Sequence, residues 1–306
     1  VIYLNSQFNK LYKKNIVNWK DSKGYKVKNQ YHLFGNQIVQ NIIEASPVII
    51  VTNFWGLTNA SIVSIYMLVI NVFKIIFSTL QNSIAASFGD LVAYGNNKKI
   101  MDIFNIIQFL FWILSTVLFL CCGLLLLSFV RLYCLNADDV SYVYLNLSIL
   151  MTVYIYCYSQ FLPYNLLINT LGFYGDVLKI NIKNGIFSLL LSIIACWYDF
   201  QYVYIGLITF YIINIVHRHY FLKNNGYYLK FDNLKKIIVI LVVFVFLKPM
   251  TDYLLIIESW KAWVLVSISV FLLVSLIFII YSLIFEKEIV IKIFNRFKNL
   301  KKETPN

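Results

Sequence analysis

The stretch from Phe34 to Ala93 constrains the fold more than any other part of the sequence. It contains two apolar segments of membrane length joined by the turn Gly56-Leu57-Thr58-Asn59, with Glu44 inside the first segment and Lys74 inside the second. A charge at membrane depth costs about 2.5 kcal/mol or more. An apolar chain that keeps two such charges is expected to be an integral membrane protein with a polar interior or path.

The composition indicates that a lipid bilayer is the solvent. Hydrophobic residues make up 60% of the 306 residues, charged residues make up 13%, and the mean hydropathy is +0.73. This leaves too little polar surface to cover a soluble globule. The net charge of +12 is compatible with nucleic-acid binding, but the basic residues lie between long apolar runs and form no continuous stripe. We therefore expect no nucleic-acid partner.

Eight apolar segments are candidates for crossing a membrane, where a crossing takes about 20 residues. They are residues 34–56, 61–86, 103–130, 142–171, 184–199, 203–221, 235–250 and 262–285. Only Asp199-Phe200-Gln201 separates the fifth segment from the sixth, so these two should form a hairpin. The predicted fold class is all-α, a polytopic transmembrane bundle of about eight helices.

The distribution of Lys and Arg supports eight crossings, because cytoplasmic loops are enriched in these residues. With the amino end inside, 22 of the 26 Lys and Arg residues fall in inner segments and Lys74 falls within a span. The outer segments hold only three, which are Arg131, Lys248 and Lys261. The pattern predicts that both ends of the chain are cytoplasmic.

The predicted spans divide the chain into four parts. Residues 1–33 are basic and aromatic and are interpreted as a cytoplasmic amphipathic linker. Residues 34–221 form a six-helix transmembrane lobe, and residues 222–285 add an extra helix pair. Residues 286–306 have apolar residues at helical spacing and are interpreted as a cytoplasmic amphipathic tail. A solvated linker and a plain continuation of the last helix are the alternatives for the two ends.

Four polar residues of the first span share one helix face. Gln37, Gln40, Asn41 and Glu44 follow i, i+3, i+4, i+7 spacing, and a polar stripe on a membrane helix must face protein or water. Glu44 and Lys74 lie at similar depths on antiparallel neighbours, so the two can meet. In the functional interpretation these five residues line a substrate path and meet an anionic headgroup or a coupling ion. The alternatives are a structural ion pair, or a Lys74 that extends to the membrane surface.

Two prolines lie inside predicted spans. Pro47 in the first span and Pro163 in the fourth are expected to kink their helices, because each removes a backbone hydrogen bond. Kinked helices are common where transporters gate. A simple packing role is the alternative.

Signals for catalysis or metal binding are weak. The five cysteines form no CxxC pair, and His217 and His219 are two residues apart, which points them to different helix faces. No GxSxG, HExxH, Walker or dinucleotide-binding pattern occurs. The pair Asp138-Asp139 could bind a cation or end a solvated loop. We expect no enzyme, no metal and no cofactor.

Several short motifs occur in a fixed order along the chain. They are Phe54-Trp55-Gly56-Leu57 at the first turn, Ser64-Ile65-Tyr66 in the next helix, Ala86-Ser87-Phe88-Gly89 near its end, Leu171-Gly172-Phe173-Tyr174-Gly175-Asp176, and Lys183-Asn184. In this order they resemble the bacterial polysaccharide flippases, which are Wzx-type translocases of lipid-linked oligosaccharides in the multidrug/oligosaccharidyl-lipid/polysaccharide exporter superfamily. Where that family often has an Asp near the middle of its seventh helix, this sequence has Glu44-Ala45-Ser46.

The resemblance implies one lobe, with an extra helix pair, of a two-lobed exporter whose amino-terminal lobe precedes this sequence. It implies alternating access that moves an undecaprenyl-diphosphate-linked oligosaccharide from the inner to the outer leaflet of the bacterial inner membrane. The product would serve capsule, O-antigen or exopolysaccharide assembly. The implied partners are the lipid-linked oligosaccharide, the lipid bilayer, the amino-terminal lobe and a polysaccharide polymerase.

Three rival functions remain open at this point, and one of them is a structural membrane subunit that does not transport. A drug or cation antiporter of the same superfamily would need an acid-rich cavity lined by aromatic side chains. An integral membrane enzyme of polysaccharide assembly would need catalytic side chains on a sizeable loop, and the predicted outer loops are short.

Overall fold

The computed structural model describes residues 30–137, 140–227 and 259–292, together with residues 240, 243, 254 and 257. Within these ranges the chain folds into long α-helices that pack side by side. The helices are α1 (Gln30–Ala93), α2 (Asn97–Tyr133), α3 (Leu145–Leu171), α4 (Tyr174–Tyr198), α5 (Tyr204–Asn224) and α6 (Trp260–Phe285).

Helix α1 is two helices joined at Gly56. This residue has φ of 81° and ψ of 176°, a conformation that a glycine adopts without steric cost. The helix resumes at once, which gives a first arm of residues 30–55 and a second arm of residues 57–93. Glu44 in the first arm contacts Lys74 in the second arm, so the arms fold back on each other. The first two predicted spans are confirmed, and the chain reverses at the predicted position, although the break is confined to Gly56 because Leu57, Thr58 and Asn59 are already helical.

Helices α2 to α5 match the third to sixth predicted spans, but several helices begin earlier than predicted, including α2, which begins at Asn97 instead of Ile103. The first arm begins at Gln30 instead of Phe34, and α4 begins at Tyr174 instead of Asn184. The first turns of α4 carry Asp176, Lys179 and the exposed Lys183. Charged residues do not belong to an apolar span, but they are compatible with a helix that extends past the hydrocarbon region.

Helices α4 and α5 form the predicted hairpin. The connection is a single 3-10 turn, Phe200–Tyr202, which begins where the Asp199 carboxylate accepts a hydrogen bond from the Gln201 backbone N–H at 3.0 Å. Gly206 of α5 lies against α4 so closely that a Cβ atom would lie 2.3 Å from the Ser188 carbonyl oxygen. The absence of a side chain at Gly206 therefore permits this close approach.

Aromatic side chains fill the main core. Helix α3 lies at its centre and packs against α1, α2 and α5. The largest fully buried side chains of this core include Tyr66, Tyr154, Tyr164, Tyr204, Tyr211, Phe77, Phe104, Phe111, Phe161 and Phe210. At the Gly56 end, the Trp55 indole N–H donates to the Cys196 carbonyl oxygen at 2.7 Å and joins the first arm to α4.

Helix α6 lies at the side of the bundle and packs against α2. Its Trp263 indole N–H donates to the Ser128 hydroxyl of α2 at 3.0 Å, and Phe278 contacts the Trp112 ring edge to face. Its opposite face is apolar and exposed, with residues such as Leu272 and Leu276. Such a face is suited to contact with lipid.

The six described helices are all long and apolar enough to cross a membrane. Because α1 consists of two arms, they supply seven segments of crossing length. The architecture is therefore an all-α polytopic bundle, as predicted, and the protein is a multi-pass membrane protein. Apart from Ile240 and Val243, the predicted seventh span at 235–250 lies outside the described residues, as do the Asp138-Asp139 pair and most of the basic linker.

The two ends of the bundle differ in charge. One end, which we call the basic end, contains the helix termini Gln30, Ala93, Asn97, Leu171, Tyr174 and Asn224, with Lys98, Lys99, Lys179 and Lys223 nearby. Of the predicted tail, residues 287–292 are helical, and Lys292 forms a 3.2 Å ion pair with Asp102 of α2. The remainder of the tail, residues 293–306, lies outside the described residues.

Candidate functional site

An ion pair between Glu44 and Lys74 lies inside the bundle. The Lys74 ammonium donates to Glu44 Oε2, and each side chain is only 17% exposed. The two residues come from the two arms of α1, as their sequence depth predicts. Within the bilayer the pair neutralises two charges that would each be costly alone.

Two further side chains donate to the same carboxylate. The Tyr211 hydroxyl of α5 donates to Glu44 Oε1 at 2.6 Å, and the Gln40 amide donates to the same oxygen at 3.0 Å. Both carboxylate oxygens therefore have partners. We call the Glu44–Lys74 ion pair, together with Gln40 and Tyr211, the Glu44 cluster. This cluster joins both arms of α1 to α5.

Tyrosine rings surround the Glu44 cluster. The Lys74 ammonium nitrogen lies 5.5 Å from the centroid of the Tyr158 ring, which is within the range of a cation–π contact. The rings of Tyr154 and Tyr158 pack on Tyr211 with centroid distances of 5.9 and 5.5 Å. The surroundings are thus aromatic and polarisable, and they favour a buried cation.

The four predicted polar residues of the first arm divide into two pairs. Gln40 and Glu44 are half-buried and belong to the cluster, whereas Gln37 and Asn41 are exposed. The Gln37 amide donates to Asn41 Oδ1 at 3.0 Å, so the exposed pair satisfies part of its own hydrogen bonding. Whether all four line one path stays a prediction.

The second arm also exposes polar side chains along its length. Ser64, Asn71, Asn82 and Ser83 are exposed, although they lie well inside a helix of crossing length. Ser64 and Asn71 are seven residues apart and so lie on one face. Together with Gln37 and Asn41, these residues give both arms exposed polar groups at membrane depth.

A second polar cluster lies nearer the basic end. Arg218 of α5 is 3% exposed and donates to Asn165 Oδ1 of α3 at 2.9 Å and to Asn181 Oδ1 of α4 at 3.5 Å. The Asn181 amide in turn donates to Asn36 Oδ1 of the first arm at 2.7 Å. We call Arg218 and these three asparagines the Arg218 cluster. It links four helical segments without a carboxylate.

Sequence reasoning missed the polar residues of α5. Tyr211, Asn214 and Arg218 follow i, i+3, i+7 spacing and are all buried, so the same signal that identified the first arm could have found them. Arg218 was instead assigned to the inner loops because it lies near the end of its span. As predicted, His217 and His219 point to different faces, since His217 is exposed and His219 is buried.

Both predicted kink positions lie in continuous helix. Helix α1 continues through Pro47, and the only residue of α1 with non-helical dihedral angles is Gly56. Helix α3 continues through Pro163, and the nearby residues Phe161 and Asn165 of the same helix contact the Arg218 side chain. That these prolines are kinks with a gating role stays a prediction.

Within the described ranges, no group of three or more His, Cys, Asp or Glu residues could hold a metal ion. All five cysteines are free thiols, and four of them are buried. Buried cysteines of this kind behave as small hydrophobic side chains.

Comparisons of the chain with protein-family models, with characterised proteins and with solved structures give no match. The functional argument therefore depends on the two polar clusters and their surroundings.

Proposed function

We propose that this protein is part of a transporter that flips an undecaprenyl-diphosphate-linked oligosaccharide from the inner to the outer leaflet of a bacterial inner membrane. The basic end would face the cytoplasm, in keeping with the positive-inside rule. The observation that carries the proposal is the Glu44 cluster, in which an acid, a base, an amide and a phenol meet inside a membrane-spanning bundle. Ionisable groups in such a position are a common feature of transport pathways.

The exposed polar groups on both arms of α1 support a transport role. Three amide side chains are exposed in the described part of the chain, Gln37 and Asn41 on the first arm and Asn71 on the second. Lipid is a poor solvent for amide groups, so these residues favour a face that meets water, a sugar or another protein segment. A hydrated glycan can exchange hydrogen bonds with such amides while its lipid tail stays in the bilayer.

A second candidate function is the export of organic cations. The half-buried Glu44 accepts a hydrogen bond from Tyr211, on which the rings of Tyr154 and Tyr158 pack. An acid within an aromatic shell suits a cationic ligand. Lys74 already occupies that position, so a cation would have to displace the ammonium group of Lys74.

Reconstitution tests the proposal directly. The full-length protein is placed in proteoliposomes with a fluorescent lipid-linked oligosaccharide, and a membrane-impermeant quencher reports how fast the lipid changes leaflet. We expect flipping by the wild type and a decrease of about tenfold or more in Glu44→Gln and Lys74→Met, equivalent to about 1.4 kcal/mol. Lys99→Met, which removes an exposed cation at the basic end, is the matched control and should retain the wild-type rate.

Three outcomes would count against the proposal. The wild type could leave the lipid-linked oligosaccharide in place, in which case the flippase function is wrong. Efflux of organic cations by the same vesicles would favour the second candidate. Full flipping by both Glu44→Gln and Lys74→Met would reduce the Glu44 cluster to a structural ion pair.

A further inference from the structure

Arg218 is a buried cation, and no described residue neutralises its charge. It is 3% exposed, and it lies between α3, α4 and the first arm of α1. Its partners are the side-chain carbonyl oxygens of Asn165 and Asn181 and the ring of Phe161, 4.0 Å from the guanidinium carbon. All three are neutral. In the described part of the chain the ion pairs are Glu44–Lys74 and Asp102–Lys292, so Arg218 has none there.

The hydrogen-bonding capacity of this guanidinium is also only partly used. A guanidinium carries five N–H donors in a planar fork. Two of its nitrogens reach asparagine oxygens, and the bond to Asn181 is long at 3.5 Å, while the buried Nε has no partner. The fork therefore has unused donors on a side chain that is only 3% exposed. A planar donor fork of this kind matches the oxygens of a phosphate.

Arg218 lies near the basic end of the bundle, at a distance from the helix terminus comparable with the thickness of a headgroup layer. It lies six residues before Asn224 at the basic end of α5, which is about 9 Å along the helix axis. Polar headgroup regions add about 5–8 Å to each side of a hydrocarbon core of about 30 Å. Asn165 is half-buried whereas Asn181 is buried, so Asn165 is the more accessible of the two asparagine partners of Arg218.

We propose that Arg218 binds a phosphate or diphosphate group that enters along α3 at the basic end and replaces Asn165 as a hydrogen-bond partner. The inference extends the proposed function, because it names the residue that would recognise the charged part of the transported lipid. Lys74 is a poorer candidate, since Glu44 already neutralises it. Arg218 gains a charge-assisted pair on binding, whereas Lys74 would have to exchange one pair for another.

A binding measurement tests this role. The full chain in nanodiscs is titrated with a short-chain prenyl diphosphate, with the corresponding prenyl alcohol, and with inorganic pyrophosphate. The wild type should prefer the diphosphate over the alcohol. Arg218→Gln should lose that preference by about tenfold or more, and Arg218→Lys should show an intermediate loss because it keeps the charge without the fork. Arg131→Gln, the same change at the opposite end, should bind as the wild type does.

Asn165→Ala separates ligand binding from a purely structural role and remains informative if Arg218→Gln fails to fold. The Asn165 side chain competes with the ligand for Arg218, so its removal should keep or raise the affinity for the diphosphate. A loss of affinity in Asn165→Ala, or unchanged binding in Arg218→Gln, would overturn the proposal. If pyrophosphate binds as tightly as the prenyl diphosphate, the phosphate site stands and its ligand is a soluble anion.

The two proposals fail in different ways. A wild type that flips the lipid-linked oligosaccharide but shows no preference for diphosphate over alcohol contradicts the role of Arg218 alone. A wild type that binds prenyl diphosphate through Arg218 but flips nothing contradicts the flippase function alone.

Discussion

Among the described residues, Lys74 and Arg218 are cations inside the bundle that have opposite surroundings. Lys74 forms an ion pair with Glu44, and the carboxylate receives two more hydrogen bonds from Gln40 and Tyr211. Arg218 is more deeply buried, yet its partners are two asparagine oxygens and a phenylalanine ring. Among the described residues, the charges of the first region balance each other, and the charge of the second is not balanced.

This difference separates a contribution to stability from a capacity for binding. An ion pair with satisfied oxygens holds both arms of α1 on α5, and removal of one partner leaves the other charge buried without compensation. A lone buried cation contributes little to stability, because its desolvation is not offset by an opposite charge. The burial of such a group is better explained by an anionic ligand that balances its charge.

The largest expected effect is the loss of the Glu44 charge. Glu44→Gln leaves Lys74 without its counter-ion and should lower the free energy of unfolding by about 2 kcal/mol, less than the 3–5 kcal/mol typical of fully buried pairs because both side chains are partly exposed. Thermal unfolding in detergent measures the change. The double variant Glu44→Gln/Lys74→Met should regain at least half of the loss, since no uncompensated charge remains. If the double variant lost as much free energy of unfolding as the two single variants together, the two charges would not interact.

A smaller effect is expected at the phenol that joins α5 to the pair. Tyr211→Phe removes one donor to Glu44 Oε1, while Gln40 and Lys74 keep theirs. A hydrogen bond to a charged group contributes about 1.5–3 kcal/mol, and the remaining donors should limit the loss to about 1 kcal/mol. Tyr158→Phe keeps its ring beside Lys74 and serves as the control. Equal losses in the two variants would mean that the phenol of Tyr211 adds nothing specific.

The smallest effect on stability is expected at the exposed amides. Gln37→Leu and Asn41→Leu alter side chains that bond mainly to each other on an exposed face, so the free energy of unfolding should change by less than about 0.5 kcal/mol. Flipping of the lipid-linked oligosaccharide should nevertheless slow, because the polar face becomes apolar. Unchanged flipping in both variants would remove these two residues from the path.

Hydropathy and charge spacing predicted much of this architecture. Seven of the eight predicted spans coincide with described helices, because the length of an apolar run and the thickness of the bilayer are tightly linked. The contact between Glu44 and Lys74 also followed from the sequence, since two antiparallel segments joined by a short turn bring residues at the same depth next to each other. Helix ends were predicted less well. Asp176, Lys179 and Lys183 were excluded from an apolar span although they belong to α4.

The Arg218 cluster could not be predicted from the sequence. Its members come from four helical segments that are far apart in the chain, so no local spacing connects Asn36, Asn165 and Asn181 with Arg218. An arginine near the end of a span is also consistent with a loop position under the positive-inside rule. Only the packing of α3, α4 and α5 shows that this side chain is buried and that its partners are neutral.

The difference between the two cations is tested most directly by comparing Lys74→Met with Arg218→Met in one unfolding experiment. Lys74→Met leaves Glu44 buried without its counter-ion and should lose about 2 kcal/mol, whereas Arg218→Met removes a charge that has no counter-ion and should stay within about 1 kcal/mol of the wild type. A loss in Arg218→Met that exceeds the loss in Lys74→Met would contradict this account, because Arg218 would then be the structural cation and Lys74 the dispensable one.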